Sequence, residues 1–146
     1  MSEVENMSGG QSSSGYEEEF YIQKVNIARI VEELLLRFAR AATWDERADI
    51  VDILISVCPP TVYPIIQHVF LELWKEEEKD LLSKKRELED PAFIISTDEV
   101  TYAKTIDEYE EEAIKRFTLT RLRACLVVLE EYNLIPKPFK TEVIEL

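Results

Sequence analysis

The residues in this chain that could do chemistry are few and far apart. His68 is the single histidine, and Cys58 and Cys125 are the two cysteines. A structural zinc site needs four ligands, usually supplied in pairs at short spacing, so these three residues do not make one. His68 and Glu72 stand four residues apart on an expected helix and could pass a proton between them. No nucleophile or third group accompanies them, which favours a boundary histidine softened by a carboxylate. Cys58 falls at the expected C-terminal end of a helix, where the dipole disfavours a thiolate and nothing basic adjoins it. It reads as a structural thiol. Asp45, Asp49 and Asp52 share one helical face, but a hard cation wants oxygen ligands converging from a loop, so the row reads as solvated. All three glycines (Gly9, Gly10 and Gly15) lie in the first fifteen residues. Phosphate loops, dinucleotide fingerprints, kinase glycine loops and nucleophile elbows need glycine elsewhere, and all are excluded. No catalytic, metal or cofactor-binding residue is assigned, no cofactor is expected, and the chain reads as a non-enzyme.

Charge narrows the partners. Thirty acidic residues face 17 basic ones, giving a net charge of −13 over 146 residues. That sign repels a phosphate backbone and argues against direct nucleic-acid binding. Lys115, Arg116, Arg121 and Arg123 form the one basic cluster. It could meet phosphate or an acidic partner, but the neighbouring run from Asp107 to Glu112 can balance it through Glu111–Lys115 and Glu112–Arg116 pairs. The start, MSEVENMSGG, lacks the basic and apolar regions of a signal peptide, and no apolar run reaches the ~20 residues that span a bilayer. An intracellular protein, cytoplasmic or nuclear, with reduced thiols and no membrane partner is expected. Ser14, three residues before Glu17, suits an acidophilic kinase or simply belongs to a solubilising tail. The final Val143-Ile144-Glu145-Leu146 is compatible with strand addition to a PDZ-type groove.

The elements that must position these residues are helices. Residues 1–18 carry serine, glycine and acid and are expected to be a disordered tail; 19–135 form the helical domain, and 136–146 an extended tail. With 46% hydrophobic residues the domain can bury a sizeable core. Ile27, Ile30, Val31, Leu34, Leu35 and Phe38 recur at helical spacing over 20–41. Thr43 and Glu46 form a capping-box sequence that opens a second helix, and Pro59-Pro60 closes it. Thr61 is expected to cap a third helix, with Pro64 in its first turn, running past Trp74 to Asp90-Pro91. A short helix near 97–103 and a longer one from Thr105 to Tyr132 should follow. Thr118 and Thr120 are expected to bend or break the latter, and Asn133 to end it.

Trp44, Arg47, Val51, Leu54, Ile55, Cys58, Pro60 and Ile65 are spaced as an aromatic, a charged helix start, paired aliphatics, Cys-x-Pro and a second apolar helix. This pattern resembles the pseudo-HEAT helical module beside the SAM domain of Smaug-type and zinc-knuckle RNA regulators. It is also similar to the helical segment before the F-box in some F-box proteins. Residues 114–129, IKRFTLTRLRACLVVL, look like a later helix of the first group. The resemblance implies a helical interaction module in an RNA-regulatory setting. The chain carries no SAM domain, zinc knuckle or F-box, and no binding residue transfers.

The expected fold is therefore all-α, about five helices in an antiparallel, helical-hairpin bundle. The expected function is that of an acidic, non-enzymatic protein-interaction module, an adaptor or regulatory subunit of an intracellular complex. Its partner is another protein or a second copy of itself. The alternative is a helical bundle with a buried small-molecule or catalytic site, which convergent polar groups in a pocket would reveal. The apolar bands on the first and third helices are wider than one neighbour needs. They nominate Trp74, Phe70, Leu73, Leu36 and Phe38 for the interaction surface, with Trp74 as anchor.

Overall fold

A computed structural model describes residues 26–135, and within them every regular element is helical. We number the helices α1 (26–40), α2 (Trp44–Ser56), α3 (Tyr63–Leu88), α4 (Pro91–Ser96) and α5 (Glu99–Glu131); a 3-10 turn, Pro60–Val62, precedes α3. The all-α fold is as expected.

Local chemistry sets most boundaries. Thr43 caps α2, its hydroxyl accepting from the Glu46 amide at 3.1 Å. Arg47 reaches back to the end of α1 and donates to the carbonyls of Phe38 and Ala41, both at 3.1 Å. These are among the acceptors that a helix C-terminus leaves unsatisfied, so one side chain closes the corner between α1 and α2. Pro59 and Pro60 stop α2 as the sequence indicates. Thr61 does not cap α3, however. It lies within the 3-10 turn, and α3 begins at Tyr63 with no side-chain cap and Pro64 in its first turn. Asp90 caps α4, accepting from the Ala92 amide at 2.9 Å with Pro91 at the first helical position.

The region after Pro91 departs from expectation. Ala92 to Ile95, for which the sequence predicts no element, belong to the short helix α4. The separate helices near 97–103 and 105–132 are one uninterrupted helix of 33 residues, capped by Asp98. Thr118 and Thr120 do not break it. Both are buried in the body, where packing outweighs a weak propensity penalty. Asn133 ends α5 as expected, with φ at 57°, and the Leu134 amide bonds back to the Leu129 carbonyl at 2.8 Å. Asn133 also bonds to the Glu130 carbonyl, completing a Schellman cap.

Two regions follow from the burial pattern. The body gathers α1, α2, the first half of α3 and the second half of α5 around one core. Nine residues between Thr118 and Glu130 are buried, on every side of α5, so this helix runs through the middle. Val31, Phe38, Val51, Leu54, Ile66 and Phe70 close on it. Beyond Trp74 the remainder of α3 pairs antiparallel with the start of α5 and projects as an arm, with α4 across its tip. Between residues 75 and 117 Leu81 is the only buried residue. Polar ties cross the arm: the Tyr109 hydroxyl donates to the Leu81 carbonyl and the Tyr102 hydroxyl to the Leu88 carbonyl, each at 3.1 Å.

Candidate functional site

Each nominated chemical group has a settled place. Cys58, past the end of α2, and Cys125, inside α5, are both buried and free. Their sulfurs lie 3.7 Å apart, and the Cys58 thiol donates to the Leu54 carbonyl at 3.3 Å. With that donor engaged, Cys125 supplies the hydrogen between the two sulfurs. This lowers the Cys58 pKa, and the same bond, reinforced by burial, raises that of Cys125. The sequence supplies both thiols but not their meeting across 67 residues. His68 is exposed and makes no bond to Glu72, whose carboxylate instead pairs with Lys75 at 2.9 Å and is held below its ordinary pKa by that bond. Asp52 leaves the aspartate row to pair with Arg121 at 2.6 Å, while Asp45 and Asp49 face solvent. No group of three metal-ligating side chains converges among the described residues.

The basic cluster is largely spoken for. Arg116 sits between Asp80 on α3 and Glu112 on its own helix, the latter at 2.8 Å, with Glu77 at 3.9 Å. These carboxylates raise its pKa further. Lys115 lies over the Trp44 ring at 5.9 Å, with Arg47 over the same indole at 4.5 Å, so the expected Glu111–Lys115 pair does not form. Arg116 and Arg121 thus tie α5 to α3 and α2, and the expected Glu112–Arg116 pair is present.

The nominated interaction residues divide. Phe38 is 1% exposed and Phe70 is 8% exposed; both are core residues, their rings turned away from any partner. Trp74 is half-buried, stacked on Phe70 at 5.8 Å and meeting Phe117 edge-on at 5.3 Å. Leu73 is half-buried against the core, and Leu36 is exposed. The wide apolar band on α3 is therefore used by α5 through Phe117. The two most exposed large apolar side chains among the described residues are at the arm tip, Ile95 at 85% and Val100 at 80%, with Ile94 exposed beside them.

Beside that tip a cleft of about 380 Å³ opens between α3, α4 and α5. Leu88, Phe93 and Tyr109 form its apolar surface, and Glu87 and Glu108 stand on its rim. The Tyr102 and Tyr109 hydroxyls, bound to α3 carbonyls, fix the separation of its walls, and Phe93 packs on Tyr102 at 5.9 Å. Sequence reasoning missed this site because it depends on α4; the Asp90-Pro91 cap signature was the available signal. The Ser14 and Val143–Leu146 readings lie outside the described residues, as do both tails.

No protein-family model matches the chain, and no curated protein or solved structure is significantly similar to it. No single helix among the described residues is long and apolar enough to cross a membrane.

Proposed function

We propose that the chain is a non-enzymatic protein-interaction module, an adaptor or regulatory subunit of an intracellular complex, and that the arm is the part that meets the partner. The observation that carries this reading is the placement of Ile94, Ile95 and Val100 together at the arm tip, two of them at least four-fifths exposed. Scattered apolar side chains on a surface are ordinary, whereas a group at the end of a projecting hairpin marks a contact surface. The body supports it by anchoring the arm through α3 and α5, which are continuous from core to tip. If the pseudo-HEAT resemblance reflects kinship, the complex belongs to post-transcriptional RNA regulation, with the RNA contacted by other subunits.

The test is the double substitution Ile95→Asp/Val100→Asp in the full chain, expressed in its source cell and purified under mild conditions. Proteins that accompany the unaltered chain should be lost from the variant, while circular dichroism and the unfolding midpoint stay unchanged. Retention of the same companions by the folded variant contradicts the assignment of the arm. Sedimentation of the purified chain separates a foreign partner from a second copy.

A further inference from the structure

We propose that the arm cleft receives an apolar side chain from a lysine- or arginine-rich segment of another protein; this rests on the interaction reading above and gives the partner its chemistry. The cleft suits one or two large side chains, lying as it does between Leu88, Phe93 and Tyr109, and Phe93 is followed in α4 by exposed Ile94 and Ile95. Cross-hairpin hydrogen bonds from Tyr102 and Tyr109 preform it, so little ordering cost falls on binding.

The sign of the partner follows from which rim charges are already satisfied. Lys84 is paired with Asp80 at 3.5 Å, and Glu112 with Arg116 at 2.8 Å. Glu87 and Glu108 make no ion pair among the described residues. Two uncompensated carboxylates therefore flank an apolar surface on a chain of net charge −13. Such a field draws cationic segments and repels acidic ones. A segment with an apolar anchor flanked by basic residues satisfies both features at once.

The chain's own ends do not fit in cis. Residues 1–20 contain no lysine or arginine. Lys137, Phe139 and Lys140 have the right chemistry, but Phe139 lies four residues past Ile135 and reaches ~14 Å at most. The length of α5 from Glu108 to Glu131 is ~35 Å. Only the tail of a second copy could arrive that way.

The full chain is titrated against a short labelled peptide of leucine and lysine at helical spacing, followed by fluorescence anisotropy. The Glu87→Gln/Glu108→Gln variant should bind about tenfold more weakly. The charge-matched variant Asp49→Asn/Glu131→Gln, altered at exposed positions in the body, should change affinity by less than about twofold. Amide shifts on peptide addition should fall at 84–93 and 105–112. Equal weakening in the two variants, or shifts confined to the body, overturns the proposal and leaves only general attraction between opposite charges. So does concentration-dependent self-association abolished by Phe139→Ser, which makes a second copy the occupant. If the peptide fails to bind while Ile95→Asp/Val100→Asp still strips companions from the chain, this proposal falls and the interaction reading stands. If both fail, both fall.

Discussion

The second half of α5 and its first half share one helix but not one kind of stabilisation. From Thr118 to Glu130 nine side chains are buried and the helix is gripped on all sides; from Glu99 to Phe117 none is, and α5 there rests on α3 along one side. Burial of a full Leu or Val side chain contributes roughly 1.5–3 kcal/mol, so the body holds most of the folding free energy. The arm borrows its rigidity from helices that start or end in the core. What it adds is pinning: two tyrosine hydroxyls and the Arg116 ion pairs across the hairpin. A region built this way can leave isoleucine and valine in water without unfolding.

The contrast is sharpest for truncations. Leu126→Ala, at a wholly buried position, should cost about 3 kcal/mol in denaturant unfolding. Leu82→Ala, half-exposed on the arm, should change stability by less than about 0.5 kcal/mol. Similar losses at both positions would erase the distinction between the regions.

Polar changes sharpen it at smaller scale. Thr118 is fully buried and its hydroxyl has no hydrogen-bond partner among the described residues. Thr118→Val keeps the shape and removes the orphaned group, so it should stabilise the body by about 1 kcal/mol. On the arm, Tyr109→Phe removes one strap and should cost about 1 kcal/mol locally. It should be visible as faster amide exchange at 76–88 with the body unchanged.

These residues also show what was legible in the sequence. Thr43, Pro59-Pro60, Asp90-Pro91 and Asn133 carry their structural roles in side-chain or backbone chemistry that acts within a few residues. Helix ends there could be read directly. Thr118 and Thr120 could not, because their effect depends on what packs against them; intrinsic propensity pointed to a break, and burial against other helices overrode it. Ala92 to Ile95 escape a sequence reading because the helix is short and only Phe93 turns inward while Ile94 and Ile95 face water, leaving no periodic core signature. The same gap hid the cleft. Trp74 was nominated as an anchor from the width of its apolar face, and only the long-range approach of Phe117 reveals how that width is used. The meeting of Cys58 with Cys125 likewise rests on the tertiary fold.

The smallest expected effect is electrostatic and belongs to the arm. The Asp98 carboxylate accepts the Thr101 amide and hydroxyl, both at 2.9 Å, and these bonds hold it below its ordinary pKa. A depressed carboxyl pKa means that its contribution is complete above the unfolded value near ~4 and disappears as pH falls through the lower folded value. Acidification should therefore loosen the first turns of α5. Asp98→Asn, which keeps a capping oxygen but cannot be protonated in this range, should flatten that part of the acid profile, followed as helix signal between about pH 5 and pH 2. An unchanged profile would mean that the cap contributes nothing to arm stability.

The division into a stabilising body and a presenting arm is tested most directly by residue-resolved amide hydrogen exchange of the full chain. Amides of 118–131 should open only with global unfolding, while those of 76–88 and 99–112 should exchange through a smaller, separate opening with its own free energy. Equal protection along the whole of α5, with one opening free energy from Glu99 to Glu131, would contradict it.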